Sequence, residues 1–281
     1  MIPASFEYTR ASSVGEAVRM LAAGGEDAKV LAGGHSLLPL MKLRMATPSL
    51  LVDVGRVREL SYVRDAGDSL AVGALTRHFD LSRDELVARH APLLAAVAGQ
   101  IGDPQVRHRG TIGGSIAHGD PASDLPAACL ALGASFVAVG PSGERRIAAA
   151  DFFTGFLETA LAPGELLVEI VVPKATGAGW SFQKFNRRAQ DWAIVGCAVV
   201  RDGSTRVALV NMGASPLRSP GAEQALAAGA SVAEAAERAC DGLEPPSDLN
   251  ASAEYRRHLA SVLVTRALAE AGGAPGQEAS P

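Results

Sequence analysis

The sequence predicts an α+β chain: a mixed α/β portion that opens with a compact β-α-β unit, then a meander sheet followed by helices. Residues 13–25 have the spacing of a capped amphipathic helix set between short apolar runs. Residues 122–132 repeat the helical pattern, and residues 180–212 contain three alternating segments followed by three helical ones. At 281 residues the chain can hold two modest domains, each with its own core.

Taken in order, Ser13 and Glu16 have capping-box spacing, Val14, Ala17, Val18 and Leu21 recur at helical intervals, and Gly24-Gly25 ends that helix. Residues 29–32 form a short strand feeding a glycine-rich segment, and Pro39 argues against a long helix in the apolar run 37–41. Residues 50–54 and 69–74 are further strands. Helical patterns follow at 80–88, 92–101 and 122–132, with strands at 135–139, 144–148 and 166–172, the last ending at Pro173. The linker Thr176-Gly177-Ala178-Gly179 leads to a meander of 180–185, 194–201 and 205–212. Helices near 219–228, 231–241 and 251–271 complete the chain, and the small, polar tail 272–281 is expected to be disordered. The expected boundaries are 1–175 for the first domain (subdomains about 1–55 and 56–175) and 176–271 for the second. No internal repeat is present.

Composition excludes several classes. A formal net charge of −4 with no basic stripe argues against a nucleic-acid partner. The longest apolar stretches fall far short of a membrane span. Met1-Ile2-Pro3-Ala4-Ser5-Phe6-Glu7 lacks the basic-then-apolar pattern of an export signal, so the chain reads as cytoplasmic. The three cysteines, Cys129, Cys197 and Cys240, are scattered and form no C-x-x-C pair. They offer neither a disulfide framework nor an iron–sulfur or zinc site, so any one-electron carrier must come from another chain.

The most informative residues are two glycine-rich segments, Ala32-Gly33-Gly34-His35-Ser36 and Thr111-Ile112-Gly113-Gly114-Ser115, about 80 residues apart. Glycine lets an anion approach the main chain, and successive N–H groups in such a turn form a concave anion site. One Gly-Gly pair is ordinarily just a turn. Two of the same grammar point to a diphosphate gripped from both sides. The common nucleotide fingerprints, G-x-G-x-x-G and G-x-x-x-x-G-K-[ST], are missing, so a dinucleotide here would not sit in a Rossmann crevice.

The second segment continues Ile116-Ala117-His118-Gly119-Asp120-Pro121-Ala122-Ser123-Asp124-Leu125-Pro126. With both segments in this order and spacing, the chain resembles the FAD-binding medium subunits of the molybdenum hydroxylases, relatives of xanthine dehydrogenase and aerobic carbon monoxide dehydrogenase. The resemblance runs through Lys184 and Gln190-Asp191-Trp192-Ala193 to about residue 270. It implies a p-cresol methylhydroxylase-type FAD-binding fold, with FAD extended between two α/β subdomains.

The contacts it implies run from Val30 and Leu31 through Ala32 to the amides of Gly33, Gly34, His35 and Ser36, and on the other side Thr111, Gly113, Gly114 and Ser115. His35 is either a polar contact near the diphosphate or a loop residue without a task. Ser115 stands where relatives commonly have asparagine, leaving one hydroxyl in place of an amide. Asp124 either caps its helix or, by resemblance, accepts from a ribityl hydroxyl. His118 is an ordinary polar residue or lies near the flavin ring. Lys184 by composition sits on the solvated face of a strand; by resemblance it lies close to the flavin, where a cation favours a reduced, anionic ring. Trp192 is a core or hinge anchor by composition, and by resemblance shields one isoalloxazine face. Leu166 and Leu167 read as strand core, and the resemblance gives their backbone to the pyrimidine end of the flavin.

No catalytic triad, metal cluster or paired acid–base carboxylates stand out, so redox chemistry belongs to the cofactor. The resemblance implies that substrate is hydroxylated at a molybdenum cofactor on a large subunit. Electrons then pass singly through [2Fe–2S] clusters of a small subunit to FAD here, and on to an external acceptor. The implied assembly is a heterotrimer, doubled to a dimer of heterotrimers. One alternative is a self-sufficient FAD-dependent oxidase of the same broad fold, though such enzymes carry a substrate cap that needs more chain. The other is a non-enzymatic module holding a phosphate ligand, which would purify colourless.

Overall fold

The computed structural model describes residues 2–273. A three-stranded parallel sheet places Leu50–Asp53 between Glu7–Arg10 and Ala28–Leu31. The helix Val14–Gly24 crosses between the first two strands in sequence, and the Ser13 side chain accepts from the Glu16 N–H at its start. Glu7–Arg10 had no apolar pattern to betray it: this edge strand is largely exposed, and its position comes from pairing with Leu50–Asp53.

A second sheet of five antiparallel strands has the spatial order Val63–Asp65, Ser69–Gly73, Leu166–Pro173, Ser135–Gly140, Gly143–Ala148. Its central strand shifts register between Leu167 and Glu169, a bulge that frees the Val168 carbonyl to accept from the Ala74 N–H. The helical pattern at 80–88 resolves into two short helices, His78–Leu81 and Glu85–His90. Asp84 divides them, its carboxylate capping the second by accepting from the Leu86 and Val87 N–H groups.

The third sheet is the expected meander, Gly179–Phe185, Val195–Arg201 and Thr205–Val210, with the short strand Leu217–Arg218 added. It is buried on both faces. Cys197, Val199, Val207 and Leu209 share a core with the helix Ala253–Gly272. Ala198, Val200, Ala208 and Val210 share another with the helix Asp124–Leu132, which also packs against Phe136 and Ile170 of the second sheet. Wedged between two sheets, every residue of Asp124–Leu132 is buried, which explains its apolar composition on all sides. The consequence for function is that this rigid central helix begins with a carboxylate.

The last helix runs to Gly272, into the tail expected to be disordered, so the start of that tail is corrected. The remainder, from residue 274, lies outside the described residues. Among the described residues no helix is long and apolar enough to cross a membrane, and no cluster of ligating side chains could hold a metal ion.

Candidate functional site

The two glycine segments meet because one packs on the chain leading into the other. A Cβ on Gly33 would overlap the Arg109 carbonyl oxygen and crowd Gly110. That carbonyl also accepts from the Arg77 guanidinium, so it has no freedom to retreat. The second segment is likewise pinned from behind: a Cβ on Gly113 would overlap Ala74. Both glycines are required first for backbone against backbone, not for leaving room to a ligand.

The segments then diverge from the symmetric grip expected of them. The first is an open turn, with Gly34 at φ 76°, and among the described residues none of the N–H groups of Gly33, Gly34, His35 and Ser36 donates a hydrogen bond. The second is no loop. Thr111 is the N-cap of a helix, Ile112–His118, so Gly113 and Gly114 sit in its first turn. The Gly113 N–H donates to the Ala74 carbonyl at 2.9 Å and the Ser115 N–H to the Thr111 carbonyl at 3.0 Å. The Gly114 N–H donates to Thr111 Oγ1 at 3.1 Å. The expected amide donors of 113–115 are thus already engaged, because a cap and a helical turn satisfy them. The donor-rich side is the first segment, and what the second adds is the hydroxyls of Thr111 and Ser115.

These segments line a cleft of about 1020 Å³ that runs across the first two sheets to the edge of the third. Such a volume is at the upper end of small-ligand sites. Val30, Ala32, Gly33, Gly34, His35, Ser36, Thr111, Gly113, Gly114, Ser115, His118, Asp124, Leu166, Leu167, Lys184 and Trp192 all reach it. Leu31 does not.

Lys184 is not on a solvated strand face. Its side chain is 6% exposed and Nζ donates to Asp124 Oδ2 at 2.7 Å. Burial pushes the Asp124 carboxyl above its ordinary value, and the adjacent ammonium offsets only part of that rise. Nor does Asp124 cap its own helix, since Ser123 occupies the cap and Asp124 takes the first helical position. Its other oxygen, Oδ1, is buried without a partner among the described residues. Trp192 is no core anchor either: it is 55% exposed at the cleft wall. The bend from Lys184 to Trp192 is held by Asn186, which donates to the Arg188 carbonyl at 2.8 Å, and by the Arg188–Asp191 ion pair.

Among the cleft residues that escaped the sequence reading is one buried histidine. His78 is 5% exposed and packs against Gly110 with Nδ1 unpartnered. No motif surrounds it; only the fold carries it to the cleft. Desolvation, then the neighbouring Arg77, lower its pKa to about 4. Against an ordinary value near 6.5, the folded state therefore resists protonation, and stability present above pH 6.5 is lost as pH falls toward 4. The loss is about 3 kcal/mol for a shift of this size. We expect His78→Gln to flatten that part of the pH dependence; denaturant melts of both proteins between pH 7 and pH 4.5 measure it, and equal slopes would exclude it.

Comparison with known proteins accords with this geometry. Residues 4–175 match the family described as FAD binding domain in molybdopterin dehydrogenase, and residues 180–271 match the CO dehydrogenase flavoprotein C-terminal domain. The carbon monoxide dehydrogenase medium chain of Hydrogenophaga pseudoflava is 47% identical, over 95% of this chain and 97% of the relative. The 6-hydroxypseudooxynicotine dehydrogenase complex subunit alpha of Paenarthrobacter nicotinovorans is 40% identical, over 96% of each. A solved carbon monoxide dehydrogenase from Hydrogenophaga pseudoflava, lacking the Mo-pyranopterin moiety of its molybdenum cofactor, superposes with a TM-score of 0.92. The match covers 96% of this chain and 98% of that one.

The chain is thus an α+β flavoprotein. It belongs to the family of FAD-binding medium subunits of the molybdenum hydroxylases. As a member it is an electron-transfer subunit of an oxidoreductase that acts as a complex. The self-sufficient oxidase is not favoured, because the chain spans nearly the whole length of subunits that work with partners.

The residues present fit FAD. Four free amides suit a diphosphate, the orphaned Asp124 Oδ1 suits a hydroxyl, and Leu166, Leu167 and Trp192 line the same cleft as Asp124 and Lys184.

Proposed function

We propose that this chain holds FAD extended along the cleft, in a fold of the p-cresol methylhydroxylase type, and relays electrons between an iron–sulfur partner and an external acceptor. The observation that carries the reading is the pairing of the free amides of Gly33–Ser36 with an unpartnered buried carboxylate oxygen along one cleft. FAD supplies a centre that accepts electrons singly and gives them up singly or in pairs.

The chain's own residues do the rest. The amides of 33–36, with the Ser115 and Thr111 hydroxyls opposite, bind the diphosphate. Asp124 orients the ribityl chain as an acceptor. Leu166 and Leu167 present backbone to the pyrimidine end, and the partly buried His118, whose pKa burial lowers, meets the ring as a neutral imidazole at neutral pH. Trp192 lies over one ring face and keeps water and oxygen from it.

The chain carries no cluster ligands among its described residues, so the small iron–sulfur subunit covers the flavin edge of the cleft. The large molybdenum subunit completes a heterotrimer, doubled to a dimer of heterotrimers in the cytoplasm. Substrate choice then resides in the large subunit.

Titration of the deflavinated chain with FAD, FMN and NAD tests the reading: one equivalent of FAD should bind noncovalently, and the others should not substitute. Trp192→Ala should bind FAD, shift its visible absorbance and speed reoxidation by oxygen several-fold in stopped flow. An unchanged spectrum and rate would remove Trp192 from the ring. Co-expression with both partners, followed by native mass spectrometry, tests the assembly; turnover of substrate by the chain alone would overturn it.

A further inference from the structure

The Lys184–Asp124 pair joins the two halves of the chain at the cleft wall. Lys184 belongs to the strand Gly179–Phe185 of the third sheet, and Asp124 opens the buried helix Asp124–Leu132. Their side chains are 6% and 5% exposed. The ammonium is therefore spent on a carboxylate, and is not a free cation facing the cleft.

Asp124 divides its oxygens: Oδ2 accepts from Lys184, while Oδ1 is buried with no partner among the described residues, on a side chain that lines the cleft. A carboxylate buried without a counter-charge takes up a proton, and the neutral acid is a weaker hydroxyl acceptor than the anion. Its orientation would also be unfixed. Lys184 supplies both the charge and the anchor.

We infer that Lys184 is a positioning residue for FAD: by engaging Oδ2 it keeps Asp124 ionised and aims Oδ1 at a ligand hydroxyl. Its effect on the flavin runs through Asp124 and appears as affinity. It does not act on the ring as a lone cation setting the reduction potential. This inference rests on FAD being the ligand of the cleft.

The other charged groups around Asp124 leave Lys184 in control. His118, on the preceding helix, lies 3.8 Å from Asp120 in the turn that follows. Asp151, Glu169, Arg201, Arg206 and Arg218 stand on the remaining elements packed against the Asp124 helix, and none hydrogen-bonds Asp124. Arg206 meets the far end of that helix, donating to the Ala131 carbonyl at 2.6 Å.

The test titrates the deflavinated full chain with FAD between pH 6 and pH 8. The variants are Lys184→Met, Lys184→Arg, Asp124→Asn and the double Asp124→Asn/Lys184→Met, and the potential of bound FAD is measured in each. Lys184→Met should bind at least tenfold more weakly at pH 6 and recover part of the loss toward pH 8, while wild type stays flat. Lys184→Arg should rescue. The double variant should bind no more weakly than Asp124→Asn, and the potential should stay at its wild-type value. Wild-type affinity in Lys184→Met with a lowered potential would overturn the inference, as would additive losses in the double variant. Should Lys184→Met fail to fold, Asp124→Asn against the double variant decides alone: equal affinities support it and a further loss overturns it. Failure of wild type to bind FAD would instead indict the ligand, which keeps the two failures apart.

Discussion

Gly33→Val is expected to yield a folded chain that purifies without flavin. The new side chain has nowhere to go: its Cβ would overlap the Arg109 carbonyl oxygen, which Arg77 holds in place from the other side. The turn must move away from the 109–115 segment, and the four free amides move with it. A displacement of about 1 Å at a preorganised site costs on the order of 100-fold, and loss of the amide array costs more. The expected affinity loss is therefore at least about 1000-fold, which empties the site at ordinary protein concentrations.

Gly114→Ala supplies the contrast. Its Cβ would lie 2.7 Å from Thr111 Oγ1, a hydroxyl that can rotate away at the loss of one helix cap. That costs about 1 kcal/mol and leaves most of the flavin bound. The flavin-to-protein absorbance ratio of each purified variant measures both. Equal flavin content in Gly33→Val and wild type would refute the role given to the first turn.

Asp124→Ala should be the most destabilising change at the cleft. It leaves the Lys184 ammonium, 6% exposed, without the only ion-pair partner it has among the described residues. Breaking a buried pair by removing one member costs about 3–5 kcal/mol, more than the pair itself contributes, because an uncompensated charge remains. For a chain of this size that lowers Tm by roughly 5–8 °C. Adding Lys184→Met should return much of the loss, since the stranded charge is then gone as well. Calorimetry of the deflavinated chains measures the cycle, and a double variant less stable than Asp124→Ala would show that the ion pair is not the source of the cost.

The local elements were legible wherever the pattern that forms them is local. The capped helix at Ser13, the apolar strand 166–172 and the alternating meander from 180 all carry their own periodicity. The glycine segments carried the family. Elements defined by a partner were not legible: Glu7–Arg10 is a strand only because Leu50–Asp53 lies beside it. Capping chemistry decides the second glycine segment: its sequence reads as a turn, yet with Thr111 as cap it is the first turn of a helix.

By itself, then, the sequence determined the class of fold and the family, because both rest on periodicity and on motif residues adjacent in the chain. Only the tertiary structure decided how the site is wired. Gly33 against Arg109, Lys184 against Asp124 and His78 against Gly110 join residues 32 to 76 positions apart, and no spacing rule couples them. Burial then set their chemistry. A lysine that composition assigns to water sits in an ion pair because a helix wedged between two sheets delivers a carboxylate to it, away from the solvent that would otherwise have screened both.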